Sequence, residues 1–305
     1  MLCKRKQFTR LFSSKDRMLG IPGKFFVKKC TCGLIFLDPA PNQNSLKMYY
    51  PSGKYYAYNS EEDTSFFGRL REFLIQHYYK QNMLSKIVAA VIHNVPAMPS
   101  WKENGKILDV GCGTGDTLLL LKKLGWNVYG FDIDKMALKI AKKRGITHVF
   151  HGSYEDIARF PDNYFDAVRL YHVIEHLDKP DLALRIIRKK LKKYGELILG
   201  TPNVNSITAR LFGKYWLNLD SPRHIFLFAP NTLRKLLVKE KYDITSVDFC
   251  SGGGIVGSIG YALSELLKKK INLVNNMWLV LLFYPVEWIF DKFRIGDIFV
   301  MNGRK

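Results

Sequence analysis

Cysteine is scarce in this chain: five among 305 residues, at positions 3, 30, 32, 112 and 250. An odd count without a paired pattern excludes a disulfide-framed secreted fold and fits a reducing compartment, so a cytoplasmic protein is expected. Long apolar runs are missing too. The N-terminal "MLCKRKQFTRLFSSKD" has charge but not the apolar core of a signal peptide. The apolar stretch Met277 to Phe290 contains Pro285 and Glu287 and falls short of the ~20 residues that span a bilayer. No Gly-Lys-Ser/Thr follows a glycine loop, which excludes a P-loop.

Acidic residues are few: 27 Asp and Glu against 47 Lys and Arg, for a formal charge of +20. Such a field attracts nucleic acid or an anionic membrane. However, the basic runs "KIAKKR" (Lys139 to Arg144) and "RKKLKK" (Arg188 to Lys193) fall on separate expected helices. That dispersal favours lysine-rich faces on a soluble protein, and no specific nucleic-acid partner is expected. A hydrophobic share of 47% and an aromatic share of 13% suffice for a large core and exclude disorder.

Residues 1–60 are rich in turn formers ("DPAPNQNS", "MYYPSGKYYAYN") and read as a short irregular segment. Residues 61–100 form a connector, with a helix over about Phe66 to Ile92 from apolar spacings of three and four, then "NVPAMPS". From residue 101 to 305 strands and helices alternate. "KILDVG", "NVYGFD", "HVF", "YFDAVRLY", "ELILGT", "YDITSVDFC" and "DIFVMN" read as strands. Helices lie between them, with Gly125 and Gly145 at two ends, a basic helix running to Gly195, and Asn231 near the cap of "PNTLRKLLVKE". The alternation predicts an α/β fold: a doubly wound, Rossmann-like parallel sheet that binds ligand beyond its strand ends. Residues 251–295 form an apolar helical insertion before the final strand.

"ILDVGCGTGD" places Gly111, Gly113 and Gly115 behind the first of these strands. Glycines there permit positive φ and close approach of backbone to ligand. The dinucleotide fingerprint G-x-G-x-x-G is not met, because Asp116 stands where its third glycine belongs. Asp132 closes the next strand, where a carboxylate can accept hydrogen bonds from ribose hydroxyls.

Taken together, "ILDVGCGTGD", "VYGFDID", "GSYEDI", "FDAVRLYHVIEHLDKP" and "GELILGTPN" resemble the class I S-adenosylmethionine-dependent methyltransferases. The resemblance implies a seven-stranded sheet with an antiparallel last strand and S-adenosylmethionine as cofactor. It implies that Asp109, Gly111, Cys112, Gly113 and Gly115 face the methionine end, beside Tyr171. Asp132 would face the ribose and Ile133 the adenine, with Ser153 and Tyr154 at the adenine edge.

A methyltransferase must align its acceptor and often remove a proton, a role that suits histidine. In "YHVIEHL", His172, Glu175 and His176 are spaced to share one helical face. The "EH" pair is similar to that of quinone-biosynthesis O-methyltransferases, where acids and this histidine can hold a divalent ion; His172 stands in place of one such acid. The second candidate is His224 in "LDSPRHIFLF", expected as base or acceptor contact. "KKCTCGLIFLDPAPN" with "LCK" upstream resembles a zinc-knuckle segment found before some of these enzymes, with Cys3, Cys30 and Cys32 as candidate ligands.

The apolar insertion reads either as core or subunit interface, or as an interfacial helix over 268–290 with Lys268, Lys269 and Lys270 near anionic headgroups. The expected reaction is methyl transfer to a small molecule, quinone-like lipid or glycan, at oxygen. The alternatives are an RNA methyltransferase or a non-catalytic protein that retains the cofactor site. Neither an Asp/Asn-Pro-Pro-Tyr motif nor a Pro-Cys pair is present for base or exocyclic-amine chemistry. Oligomeric state is not encoded in any motif.

Overall fold

A computed structural model describes residues 7–41, 47–50, 73 and 97–305. Phe73 is helical, and the rest of the helix expected over Phe66 to Ile92 lies outside the described residues, as does Cys3.

The N-terminal segment is not irregular. It forms β1 (Phe8–Ser14), β2 (Phe25–Cys30) and β3 (Ile35–Asp38), paired antiparallel in that order. Val27 and Leu37 alternate with partly exposed neighbours, so this small sheet has one buried face.

The remaining chain runs β4 (Lys106–Val110), α1 (Asp116–Lys123), β5 (Asn127–Asp132), α2 (Lys135–Lys143), β6 (Val149–His151), β7 (Phe165–Tyr171), α3 (Pro180–Lys190) and β8 (Leu191–Pro202). Then follow α4 (Ile207–Phe212), β9 (Phe226–Leu227), α5 (Pro230–Lys239), β10 (Asp243–Phe249), α6 (Gly254–Leu266), α7 (Met277–Lys292) and β11 (Ile298–Arg304). Seven of these strands make one sheet in the order β10-β11-β8-β7-β4-β5-β6. β11 runs antiparallel to both neighbours, and the β4–β8 pairs are parallel. The doubly wound α/β expectation holds, including the antiparallel strand.

Each central strand is buried on both faces. In β4, Leu108 and Val110 join one hydrophobic cluster and Ile107 the other, which is why these strands read as near-continuous apolar runs. Each fully buried aliphatic side chain contributes about 1.5–3 kcal/mol of transfer free energy. β5 follows β4 to one side and β7 lies on the other, so the order reverses at β4 and opens a crevice beyond the strand ends.

Two local expectations are corrected, at the end of the basic helix and at the cap of α5. The basic helix stops at Lys190 rather than Gly195, because Leu191 is buried and pairs with Phe165, and Tyr194 turns left-handed at φ 63°. The cap of α5 is Ala229, with Pro230 at the first helical position and Thr232 Oγ1 accepting from Ala229 N at 2.9 Å. The apolar insertion is two helices, and α7 turns its carboxylates inward. Glu287 accepts from Gly253 N at 2.8 Å and Ile255 N at 2.9 Å, while Asp291 accepts from Ser251 N at 2.8 Å. The amides at the start of α6 lack intrahelical partners, so two carboxylates four residues apart supply them.

Candidate active site

Three glycines at the end of β4 all take left-handed φ: 73° at Gly111, 52° at Gly113 and 84° at Gly115. A Cβ on Gly111 would sit 2.5 Å from Val173 Cγ2, so the loop tolerates no side chain there. Asp132, at the end of β5, accepts from Gly113 N and from Asp134 N, both at 2.8 Å. Each carboxylate oxygen keeps a second lone pair, leaving Asp132 able to accept from ribose hydroxyls as well. Ile133 stands beside it, 57% exposed, with an open apolar face.

Other expected cofactor contacts have different surroundings. Asp109 is buried, and Arg169 Nη1 donates to both its oxygens at 2.9 and 3.1 Å, while Arg169 Nε donates to Ala97 O at 2.9 Å. Burial raises the Asp109 carboxyl and Arg169 partly offsets it. Asp109 thus anchors the base of the glycine loop through an ion pair that the sequence reading missed. The available signal was an arginine inside the buried strand "FDAVRLY", which demands a partner.

Cys112 is buried and its thiol is pushed up chiefly by that burial. Tyr171 packs its ring where a Cβ on Gly200 would clash at 2.2 Å. Ser153 caps the 3-10 turn Tyr154–Arg159, accepting from Glu155 N at 3.2 Å. Tyr154 is a core residue whose hydroxyl donates to Asp178 at 2.9 Å, directly after Ser153 at the end of β6. Asp116 pairs with Arg144 and also accepts from the Thr114 hydroxyl of the loop at 3.2 Å.

The histidines converge beyond the ends of β7 and β8. They do not share a helical face: His172 is left-handed at φ 55°, and only Ile174–His176 form a single 3-10 turn. Glu175 is buried, accepts from Thr201 Oγ1 at 3.0 Å, and has Oε1 3.2 Å from His172 Nδ1 without hydrogen-bond alignment. Burial alone would raise Glu175, but His172, His176 and His224 overcome it and hold the carboxyl at about 2. Burial, then repulsion from His224, lowers His176 to about 4, so its imidazole is neutral at pH 7. His176 Nδ1 meets the Tyr50 hydroxyl at 2.8 Å and the Arg223 carbonyl at 3.0 Å.

His224 is buried against His176, with ring centroids 4.7 Å apart. Its Nδ1 donates to the Asn218 carbonyl at 2.8 Å, which fixes the tautomer and leaves Nε2 as the acceptor. Nε2 lies 3.9 Å from Glu175 Oε1 and 3.9 Å from Asp220 Oδ2. Two carboxylates are thereby placed to stabilise an imidazolium, the logic of an oriented general base.

The neighbouring Arg223 is fully buried and holds the loop in place. It donates to Asp220 at 2.9 Å, to Asp16 at 3.0 Å, and to the Tyr49 carbonyl at 3.3 Å. Asp16 also accepts three backbone amides of the β1–β2 connection. β9 completes the small sheet beside β3, pairing Phe226 with Phe36. The N-terminal sheet is therefore the platform for the histidine loop.

Ligand atoms of Glu175, His176 and His224 lie within 4.8 Å of one another. One carboxylate and two imidazoles suit a divalent transition ion, and the unaligned Glu175 Oε1 gives such an ion an acceptor. Among the described residues Cys30 and Cys32 join no comparable group. Cys30 bounds a tight turn in which Gly33 N donates to its carbonyl at 2.8 Å, and the zinc expectation also requires Cys3, outside the described residues.

A methyltransferase-domain family matches residues 76–256. The chain belongs to that family. Family membership carries the cofactor, S-adenosylmethionine. The chain is 32% identical over 133 residues to the mitochondrial ubiquinone biosynthesis O-methyltransferase of Schizosaccharomyces pombe, covering 41% of this chain and 46% of that protein. It is 32% identical over 103 residues to the ubiquinone biosynthesis O-methyltransferase of Xanthomonas oryzae pv. oryzae, covering 32% and 43%. These matches span less than half the length of either relative. A methyltransferase structure from Archaeoglobus fulgidus, described as SAM-dependent, is similar over 79% of this chain and 100% of that one, with 19% identity and a TM-score of 0.48.

Asp132→Ala is expected to weaken S-adenosylmethionine binding by about 10²- to 10⁴-fold, since it removes two charge-assisted hydrogen bonds worth about 1.5–3 kcal/mol each. Calorimetric titration checks this, and unchanged affinity would remove Asp132 from the ribose site.

Proposed function

We propose that the methyltransferase moves the methyl group of S-adenosylmethionine to a hydroxyl oxygen of a phenolic, quinone-like acceptor. The observation that carries this is His224: a buried base with a fixed tautomer, an accepting Nε2 and two carboxylates at 3.9 Å. A phenol, with a pKa near about 10, is a weak nucleophile until a base takes its proton, whereas the sulfonium donor needs no activation. The names of the relatives support acceptor class and oxygen as the methylated atom.

In this mechanism the glycine loop and Asp132 seat the donor beyond the strand ends. His224 Nε2 takes the hydroxyl proton as the oxygen attacks the methyl carbon; the bond from methyl to sulfur breaks, and the neutral thioether leaves. Glu175 and Asp220 stabilise the imidazolium. Were a divalent ion bound, Glu175, His176 and His224 would hold it, and it would acidify a hydroxyl.

The test is transfer of labelled methyl from S-adenosylmethionine to catechols carrying a prenyl chain, with sugars and RNA as parallel acceptors. Labelled aryl ether is the expected product. Label on RNA or sugar, or none on any acceptor despite tight cofactor binding, would overturn the reading.

A further inference from the structure

Helix α7 is turned against the usual pattern: its carboxylates point inward and its apolar residues outward. Glu287 and Asp291 are buried against the start of α6. On the opposite side Trp278 is 82% exposed, Leu282 68% and Phe293 74%, with exposed Val286 and Ile289 between them. Spacings of four, four, three and four make these one stripe along the 16-residue helix, a length of about 24 Å. Leu266, at the end of α6, adds a further apolar side chain, 76% exposed. A patch of this extent on a folded chain marks a contact surface.

Charge indicates what covers it. Leu266 and Leu267 lead straight into Lys268, Lys269 and Lys270, all exposed; Lys270 also reaches the Met18 carbonyl at 3.1 Å. A net charge of +20 repels a second copy of the chain and attracts an anionic surface. Among the described residues no helix is long and apolar enough to cross a membrane. An apolar stripe with an exposed tryptophan and adjacent lysines matches a helix lying in the plane of a bilayer, with the lysines at headgroup level.

We infer that the outward face of α7, together with the end of α6, docks on an anionic lipid bilayer. The apolar stripe enters the acyl boundary and Lys268–Lys270 engage lipid phosphates. This stands independently of which acceptor is methylated.

The test is flotation of the full chain with vesicles of phosphatidylcholine alone, or with phosphatidylglycerol as about a third of the lipid. The expected result is at least about tenfold more protein floating with the anionic vesicles. The double variant Trp278→Gln/Leu282→Gln and the pair Lys268→Glu/Lys269→Glu should each lower that fraction about tenfold. Both should leave S-adenosylmethionine affinity unchanged, because they alter only exposed side chains outside the cofactor site. Brominated lipid should quench tryptophan fluorescence in the wild type and lose most of that effect in Trp278→Phe. Absent flotation, or flotation indifferent to both variants, overturns the inference. A concentration-dependent dimer in sedimentation, abolished by Trp278→Gln/Leu282→Gln without vesicle binding, assigns the face to a second copy instead.

Discussion

Replacing His224 by alanine should lower methyl-transfer turnover about 10²- to 10⁴-fold, the range for loss of a positioned general base. Cofactor affinity should stay within about twofold, because the proposed donor site is the glycine loop and Asp132 rather than this loop. That split separates a base from a structural histidine. The alanine variant also removes the Nδ1 bond to Asn218, so His224→Asn provides the control: it can restore a neutral donor toward that carbonyl but cannot take up a proton. If His224→Ala folds, binds cofactor and turns over normally, the base assignment fails. Wild-type turnover that survives metal-free handling assigns the proton transfer to His224 itself rather than to an ion held by Glu175, His176 and His224.

The second large effect is on stability. Arg223→Met leaves Asp16 and Asp220 buried without their shared cation. Removing one partner of a buried pair costs about 3–5 kcal/mol, mostly as the penalty for the stranded charge. The expected consequence is a fall in Tm on the order of 10 °C. Loss should begin locally: amide exchange in β2 and β3 should accelerate before that of β4 or β7, because Arg223 ties the small sheet to the histidine loop. A Tm shift below about 2 °C would mean that the carboxylates find water or other partners and that this pair is not the anchor. Triple replacement of Arg223, Asp16 and Asp220 by apolar residues should recover much of the loss, since the penalty resides in unpaired charge.

Much of the large sheet was legible in the sequence for definite reasons. Its central strands are apolar on both faces, and Gly125 and Gly145 mark helix ends with φ of 88° and 86°. The loop glycines read correctly because each takes a left-handed φ that favours glycine. The small N-terminal sheet did not read as strands. β1 is exposed for most of its length, and β3 has only four residues followed by "DPAPN", so turn formers dominated the pattern. β9 is two residues long and exists only because β3 offers an edge to it.

The candidate site was legible as residue types rather than as geometry. His172, His176 and His224 were singled out, and they do gather around Glu175. Their grouping depends on a reversal at Asp220 and on anchoring by Asp16, roughly two hundred positions away in the chain, which no local spacing reveals. Likewise the composition of α7 leaves core, subunit interface and interfacial helix open. Its orientation is decided by two carboxylates, Glu287 and Asp291, meeting unpartnered amides contributed by another segment.

One contact in the histidine loop has a consequence for mutational scans. The atom that sets the His224 tautomer is a main-chain oxygen, that of Asn218, so exchanging the Asn218 side chain does not delete it. What the Asn218 side chain does is donate from Nδ2 to Asp297 at 2.7 Å, and Asp297 also accepts from Trp216 Nε1 and Ser206 Oγ. Control over the His224 tautomer therefore resides in residues that shape the turn. A scan scored by activity would register Asp297 and Trp216 as sensitive positions while the partner that matters stays silent.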